Sequence, residues 1–453
     1  SGPYTLMITN RGEGFSKNGN IFINRWRRDY LLSPYGQFIY IKDIKNKNYW
    51  STTYAPVYKE PDDYNVEFSI YKASFTRKDG FVETKMDIFL LPEESGEIRR
   101  VRLINNGEEE ALLETISYLE IVGDDINSDI AHQTFNNLFV RTEAVEEMEG
   151  LLAYRRKRQE NQQDLWMLHL VKAFDSDEGF QYETSRLDFI GRCNGLKNPK
   201  AIEKGLTNTT GTVLDPIFSI GKKVRIPPKG KADIYYITAL ANSKEEAIRL
   251  MDKYNDMSNI KLAIDLFKTK SQTEVGYLTL NRSKIEPFDE MLPYLLFIKD
   301  NIKGGYRSLI AQNERGKEGL WAKGISGDYP IILVTINTMK GLENLMRILN
   351  AHEYWSYKGL TVDLVIMNKD ESIYYQPLYE SIREEVYERR KNVLNRPGGI
   401  FIINENTLTV EDKSLLYNFA NIIIDAEKGM TIKPNNYSDI PYKEFNKSKI
   451  DYP

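Results

Sequence analysis

The feature that most constrains the fold of this chain is a change in hydrophobic pattern near residue 270. Before that position, apolar and polar residues alternate in short runs at 35–42, 66–72, 82–89, 97–104 and 232–240. Alternation with a period of two places one face of a strand on a core and the other face in water. Glycine- and proline-containing turns, such as those at 78–80 and 227–230, separate the runs. The first part of the chain is therefore predicted to be a large sandwich of antiparallel sheets.

The pattern after residue 283 is different. Helical spacing of apolar residues predicts a helix over 288–310. Near-continuous Val/Ile runs then follow at 330–336, 362–367, 399–403 and 422–424. Segments with helical character separate these runs, at 341–352, 378–393 and 409–419. Continuous apolar strands that alternate with helices are typical of a small parallel sheet covered on both faces.

These patterns predict a multidomain chain with four parts. Residues 1–270 form the antiparallel β domain, and residues 271–329 form a helical linker with a loop. Residues 330–433 form the small parallel α/β domain. Residues 434–453 are polar, rich in Tyr, Asn and Pro, and without periodicity, so an irregular tail is expected there.

Composition excludes several classes of function. The 61 basic and 65 acidic residues are nearly balanced, which argues against a nucleic-acid partner. The single cysteine, Cys193, and three scattered histidines give no basis for a metal site or a cofactor. No apolar run approaches the roughly 18 residues of a membrane helix, so direct membrane insertion is not expected. One cysteine is compatible with a cytoplasmic location.

Tryptophan and carboxylate side chains are the candidates for sugar binding. Trp321 and Asp328 share a glycine-rich loop in which the backbone can approach a ligand closely. Trp50, after a polar stretch, and Trp26 are further candidates for stacking on a sugar ring. The alternative interpretation makes Asp328 a turn residue before a buried strand and the tryptophans core residues. No pair of acidic residues is singled out, so the catalytic residues stay unknown.

The α/β part contains no glycine-rich phosphate-binding sequence. Ligands of open α/β sheets gather beyond the carboxyl ends of the strands, which here lie near Asn337, Asn368 and Asn404. All three are interpreted as turn residues that begin loops. Asp125, Asn127 and Asp129 have the spacing of a calcium loop, but the glycine and the final glutamate of that loop are missing. A solvated loop is expected there.

Nine segments, taken together and in this order, resemble the glycoside hydrolase family 94 region of cyclic β-1,2-glucan synthases. We refer to them as the matched segments. They are 6–16 (LMITNRGEGFS), 24–29 (NRWRRD), 38–43 (FIYIKD) with 50–56 (WSTTYAP), 131–140 (AHQTFNNLFV), 182–192 (YETSRLDFIGR), 211–217 (GTVLDPI), 320–334 (LWAKGISGDYPIILV) and 349–366 (LNAHEYWSYKGLTVDLVI). The resemblance covers residues from about 4 to about 430.

The resemblance implies a large bacterial enzyme that makes and trims β-1,2-glucan, with a part similar to inverting phosphorylases of the cellobiose phosphorylase type. In that family a β-supersandwich, which is galactose-mutarotase-like, precedes an (α/α)₆ barrel that carries the catalytic acid. Twelve helices of about 11 residues with their loops need at least about 200 residues. Of the 453 residues, 183 follow position 270, and several of those form predicted strands. The barrel has no place in this sequence, and no catalytic acid is carried over.

Three functions follow from these considerations. The first is an accessory region that shapes access of substrate to the catalytic barrel and is not catalytic alone. Its partners would be β-glucan or an oligosaccharide and the remaining domains of the parent enzyme, which segments outside this chain could anchor in the inner membrane. The second is half of a β-1,2-glucan phosphorylase completed by another chain, and the third is a free-standing carbohydrate-binding module.

Overall fold

The structure is a computed structural model that describes residues 4–27, 34–157, 164–174, 179–277, 282–297, 305–370 and 377–429. The chain divides into two compact units, Ser1–Glu274 and Val275–Pro453. The finer boundaries predicted at 270, 329 and 433 stay predictions. The predicted tail at 434–453 lies outside the described residues.

The first unit is a sandwich of antiparallel strands. Its strands are β1 (Tyr4–Ile8), β2 (Gly14–Asn18), β3 (Ile21–Asn24), β4 (Gln37–Asp43), β5 (Asn48–Ser51), β6 (Asp63–Phe68), β7 (Ala73–Asp79), β8 (Val82–Leu90), β9 (Gly96–Asn105), β10 (Ala111–Asp125), β11 (Val140–Val145), β12 (Gly150–Arg155), β13 (Leu165–Lys172), β14 (Phe180–Ser185), β15 (Pro216–Ile226) and β16 (Lys231–Ala241). In the described residues, the first sheet has the order β1-β2-β3-β10-β15-β14, with β4 paired to β10 and β5 to β4. The second has the order β11-β12-β13-β16-β9-β8-β7-β6. The predicted antiparallel sandwich is confirmed.

Helices pack on the outer faces of both sheets and follow the end of β10. They are α1 (Ile126–Ala131), α2 (Gln133–Asn137), α3 (Arg186–Ile190), α4 (Lys200–Lys204), α5 (Lys244–Lys253) and α6 (Met257–Tyr277). The central strand β10 shows why both faces are covered. Leu113, Leu119 and Ile121 pack between the sheets, whereas Ile116 and Tyr118 pack against residues of α3 and α4. A strand buried on both faces carries apolar residues at both parities of its sequence.

The second unit contains a parallel sheet with helices. Its helices are α7 (Arg282–Leu296), α8 (Arg307–Ile310), α9 (Leu342–Tyr357), α10 (Pro377–Arg390) and α11 (Val410–Phe419), and its strands are β17 (Ile331–Ile336), β18 (Asp363–Asn368), β19 (Ile400–Asn404) and β20 (Ala420–Asp425). In the described residues the strands have the order β19-β18-β17-β20, and all their pairings are parallel. The predicted α/β layer is confirmed.

One predicted element differs from the structure. The helix expected over 288–310 is observed as α7, which begins at Arg282 and ends at Leu296, followed by the single turn of α8. A glycine pair at 304–305 falls within the predicted span, and glycine disfavours the interior of a helix by about 1 kcal/mol per residue. Residues 298–304 lie outside the described part of the chain.

Candidate functional site

Side chains from separate matched segments meet at one end of the first sheet. Arg25, just after β3, donates to both carboxylate oxygens of Asp129 at 3.2 Å and to Glu120 Oε2 at 2.6 Å. Its guanidinium also donates to Asn137 Oδ1 at 3.0 Å, although 112 positions separate the two residues. Because α1 and α2 follow β10 directly, they bring Asp129 and Asn137 to the strand end where Glu120 lies. The buried guanidinium of Arg25 therefore joins β10, α1 and α2.

Two more matched segments extend this arrangement. Asn137 Nδ2 donates to Asp215 Oδ1 at 2.7 Å, and Arg186 Nε donates to Glu120 Oε1 at 2.9 Å. The backbone N–H of Arg186 also donates to the carbonyl of Asp215 at 3.0 Å. We call this set the motif cluster. Its members are Arg25, Glu120, Asp129, Asn137, Arg186 and Asp215.

The charges of Arg25, Glu120, Asp129 and Arg186 are paired with one another, whereas Asp215 accepts a hydrogen bond from the amide of Asn137. The side chains of Arg25 and Asp129 are each 2% exposed. Burial alone would raise the pKa of Glu120, but the guanidinium groups of Arg25 and Arg186 together hold that pKa below its ordinary value. A carboxylate held ionised between two arginines is a poor general acid, because it has no proton to give near neutral pH. The motif cluster is thus a set of ion pairs and hydrogen bonds that holds the surrounding loops together.

Exposed apolar side chains neighbour the residues of the motif cluster in the sequence. Each is next to, or two positions from, a cluster residue in the sequence, and we call them the apolar rim. They are Ile130, Phe135, Leu138, Leu187 and Leu214, with exposed fractions of 56%, 54%, 51%, 58% and 72%. Single exposed apolar residues are ordinary, whereas a set of them close to one polar cluster is a candidate docking surface.

A buried amide with no partner lies in the same place. Asn136, on α2, is 2% exposed, and neither its Oδ1 nor its Nδ2 has a hydrogen-bond partner among the described residues. Buried amides are normally satisfied by protein or by ordered water. This unsatisfied group sits one residue from Asn137, next to the motif cluster in the sequence.

The predicted sugar-binding tryptophans of the first unit are buried. Trp26 is 7% exposed and packs on Phe15 with ring centroids 5.7 Å apart. Trp50 is 2% exposed and belongs to the core between the sheets, with its Nε1 3.5 Å from Thr84 Oγ1. Neither indole offers an open ring face. The core interpretation describes both positions, and one edge of Trp50 borders a surface cavity considered below.

Trp321 and Asp328, in the second unit, lie on one exposed loop as the sequence indicates. Trp321 belongs to a 3₁₀ helix, Lys317–Lys323, is 62% exposed, and donates its indole N–H to the carbonyl of Ser326 at 3.2 Å. Asp328 forms an ion pair with Lys317 at 2.8 Å, and both side chains are more than half exposed. The loop turns at Gly324 and Gly327, which have φ values of +75° and +73°. An open indole next to a carboxylate is suited to a sugar.

A carboxylate that sequence reasoning missed lies near this loop. Asp363, the first residue of β18, accepts a hydrogen bond from the backbone N–H of Gly398 at 2.6 Å. Its Oδ2 is buried and has no partner among the described residues. Burial, together with the nearby charge of Asp328, raises the pKa of Asp363 to about 6. No local pattern sets Asp363 apart from any other residue at a strand start.

The carboxyl edge of the parallel sheet is filled by the chain itself. Glu427 Oε1 accepts the backbone N–H groups of Asn337 and Thr338, both at 2.8 Å, at the position where α/β folds commonly hold anions. Asn368 Nδ2 donates to Asn404 Oδ1 at 3.0 Å. These contacts agree with the interpretation of the three asparagines as loop-starting residues.

The solvated loop expected at 125–129 is wrong: these residues begin helix α1 and bury Asp129. Asp125 caps α1 by accepting the backbone N–H of Asn127 at 2.8 Å, and Asp129 is the buried partner of Arg25. Within the residues that the structure describes, no group of three or more His, Cys, Asp or Glu side chains could hold a metal ion. No helix in the described ranges is long and apolar enough to cross a membrane.

Comparison with known families identifies the first unit. The family model described as the glycosyl hydrolase 94 supersandwich domain matches residues 1–257, more than half of the chain. The chain belongs to this family. The resemblance of the matched segments to glycoside hydrolase family 94 is therefore confirmed, and the two antiparallel sheets are its supersandwich.

Curated relatives of this family 94 chain are carbohydrate-active proteins. The chain is 27% identical over 434 residues to cyclic beta-(1,2)-glucan synthase NdvB of Rhizobium meliloti (strain 1021), covering 95% of the chain and 15% of the synthase. It is 23% identical over 272 residues to N,N'-diacetylchitobiose phosphorylase of Vibrio proteolyticus, covering 58% of the chain and 33% of that enzyme. The chain thus spans a third or less of each of these relatives.

Among solved structures, a bacterial glucoamylase complexed with acarbose aligns with a TM-score of 0.33 and 9% identity, over 60% of the chain and 37% of the glucoamylase.

Proposed function

We propose that this family 94 chain is an accessory region of a β-1,2-glucan synthase or phosphorylase-type enzyme. In this role it packs against a catalytic domain elsewhere in the parent protein and shapes the access of β-glucan to it, without being catalytic alone. The observation that carries the proposal is the convergence of matched segments on the motif cluster and its apolar rim. Segments that resemble a glucan-processing family build a surface with exposed leucines around a buried Arg25–Glu120–Asp129 ion-pair network.

The make-up of this surface favours a protein partner over a small ligand. Interfaces between domains combine buried apolar contacts with polar groups at their margin, and the rim supplies the former while Arg186, 36% exposed, supplies the latter. The partner is the remainder of the parent enzyme, because the chain covers 15% of the synthase and 33% of the phosphorylase that it resembles.

The absence of independent catalysis is tested by phosphorolysis. The purified chain, incubated with linear β-1,2-glucan and inorganic phosphate, is expected to release no glucose 1-phosphate, since arginines hold Glu120 and Asp129 and an amide holds Asp215. Turnover that disappears on a point substitution within the chain would overturn the proposal and favour the second function, a half-enzyme.

Docking is tested with leucines of the apolar rim. The variant Leu187→Asp with Leu214→Asp is expected to bind the separately expressed remainder of the parent enzyme at least about tenfold more weakly, because charges replace side chains that an interface would bury. Leu262→Asp is the matched control, since Leu262 is 54% exposed on α6 of the same unit. Equal affinity of the double variant and the control for the remainder of the parent enzyme would show that the apolar rim does not contribute to docking.

A second test concerns contact between the exposed loop of the second unit and glucan. Trp321→Ala is expected to weaken the binding of a short β-1,2-glucan oligosaccharide about fivefold, the equivalent of roughly 1 kcal/mol for one stacking contact. Isothermal titration calorimetry measures it, with Tyr357→Ala, at another exposed aromatic of this unit, as the control. A folded Trp321→Ala variant with unchanged affinity would show that Trp321 does not contribute to glucan binding.

A further inference from the structure

Two surface cavities flank the short strand β5 of the first unit. The first, of about 250 Å³, is bordered by residues of the β4–β5 hairpin and of the β7–β8 turn, including Asn48, Trp50 and Phe81. The second, of about 490 Å³, is bordered by Tyr49, Tyr58, Val57, Lys197 and Asn198. Lys59 borders both cavities. The two cavities therefore meet at Lys59, and we call the pair of them the groove.

The geometry of β5 explains how a single strand serves both cavities. Successive side chains of a strand point to opposite faces, so Asn48 and Trp50 border the first cavity and Tyr49 borders the second. In the described residues β5 pairs with β4 alone, which leaves its other edge open. Each cavity thus has an aromatic wall at the edge of the sheet: Phe81, 36% exposed, with the buried Trp50 behind it in the first cavity, and Tyr49 with Tyr58 in the second.

Lys59 is held at the junction by two contacts. Its Nζ donates to Asn48 Oδ1 at 3.0 Å and lies 5.4 Å from the centroid of the Trp50 ring. A cation over an indole face is favourable. The ammonium group also has donor capacity left, because it carries three protons. Lys59 can therefore donate a hydrogen bond to an acceptor oxygen of a ligand that lies across both cavities.

The electrostatics of the groove favour a neutral ligand. The carboxylates that border the first cavity already accept hydrogen bonds from the chain; they are Asp43, Glu60, Asp62 and Asp79. Asp79, for example, is paired by both of its oxygens with the guanidinium of Arg77, at 2.6 and 2.8 Å. The partners of Asp43, Glu60 and Asp62 are uncharged N–H and O–H groups, so this acceptor-rich border disfavours an anion. Carboxylates with lone pairs left to accept from hydroxyl groups, together with aromatic rings, suit a neutral sugar.

We infer that this groove is a binding site for a neutral oligosaccharide, with one sugar region against each aromatic wall and Lys59 between them. The site is separate from the motif cluster. On β10, Leu113 pairs with Asp43 of the first cavity, and Glu120 of the cluster follows seven residues later, about 24 Å along the strand. The inference rests on the proposed function only in the choice of β-1,2-glucan as the probe.

The experiment titrates the full chain, carrying Trp321→Ala to remove the loop of the second unit, with linear β-1,2-glucan and cello-oligosaccharides by isothermal titration calorimetry. Adding Lys59→Ala is expected to weaken binding at least about fivefold, through loss of a charge-assisted hydrogen bond. The Lys59→Ala substitution is also expected to change the fluorescence emission of Trp50, because the ammonium group lies over its ring. The control is Lys45→Ala, on the turn of the same hairpin, where the lysine pairs with Glu109. Control and parent should bind equally.

Two results would overturn the inference: no saturable binding of either sugar at millimolar concentration, or equal affinities of the Lys59→Ala and Lys45→Ala variants. The Leu187→Asp, Leu214→Asp variant separates this site from the proposed function. If that variant binds its partner normally while the Lys59 effect is found, the docking proposal fails and the groove stands. If that variant loses docking and Lys59→Ala has no effect on sugar binding, the groove inference fails and the docking proposal stands.

Discussion

Replacing Arg25 with alanine is expected to lower the free energy of unfolding of the first unit by about 3–5 kcal/mol, since removing one partner leaves buried charges uncompensated. The guanidinium contacts Glu120, Asp129 and Asn137, and the side chains of Arg25 and Asp129 are each 2% exposed. Urea denaturation followed by far-ultraviolet circular dichroism measures the loss as a lower midpoint with an unchanged slope.

The matched control for this experiment is Arg225→Ala. Arg225 has a 57% exposed side chain and pairs with the equally exposed Glu110 on the same sheet. Exposed ion pairs contribute about 0–1 kcal/mol, so this variant is expected to unfold close to the parent. A similar, small loss for both arginines would show that the motif cluster does not hold its loops together.

Acidification is expected to destabilise the first unit through His169. This histidine is fully buried, hydrogen-bonded to Ser117 at 2.8 Å and Thr238 at 2.9 Å, and stacked against Phe218 and Tyr236. Burial, helped by the charge of Arg99, lowers its pKa from 6.5 to about 3. Between these values the unfolded chain binds a proton that the folded chain does not. Stability is therefore retained above pH 6.5 and falls by up to about 1.4 kcal/mol per pH unit below it.

The measurement is the free energy of unfolding at a series of pH values from 7.5 to 5. His169→Gln, which keeps hydrogen-bonding capacity and cannot titrate, is expected to be less stable at neutral pH but to show a flatter pH dependence. His132→Gln, at an exposed position, should follow the parent curve. A His169→Gln curve parallel to that of the parent would assign the acid sensitivity to other groups.

The aromatic residues show the limits of reasoning from sequence. Trp50 and Trp321 stand in equally polar surroundings in the sequence, yet one is 2% exposed and the other 62%. The difference arises because the side chain of Trp50 points between two sheets, whereas Trp321 lies on a surface 3₁₀ helix. Local composition does not contain that information, since burial depends on what packs against a residue from far along the chain.

The sequence alone determined the class of both units and the family of the first. Period-two alternation and continuous Val/Ile runs are local consequences of how strands and helices expose their faces, so they can be read within a few residues. Only the tertiary structure decided that Arg25, Asn137, Arg186 and Asp215 would meet. Their contacts depend on the pairing of β3, β10 and β15, strands that lie far apart in the chain. Such pairing is a cooperative property of the whole sheet, and no single segment carries it.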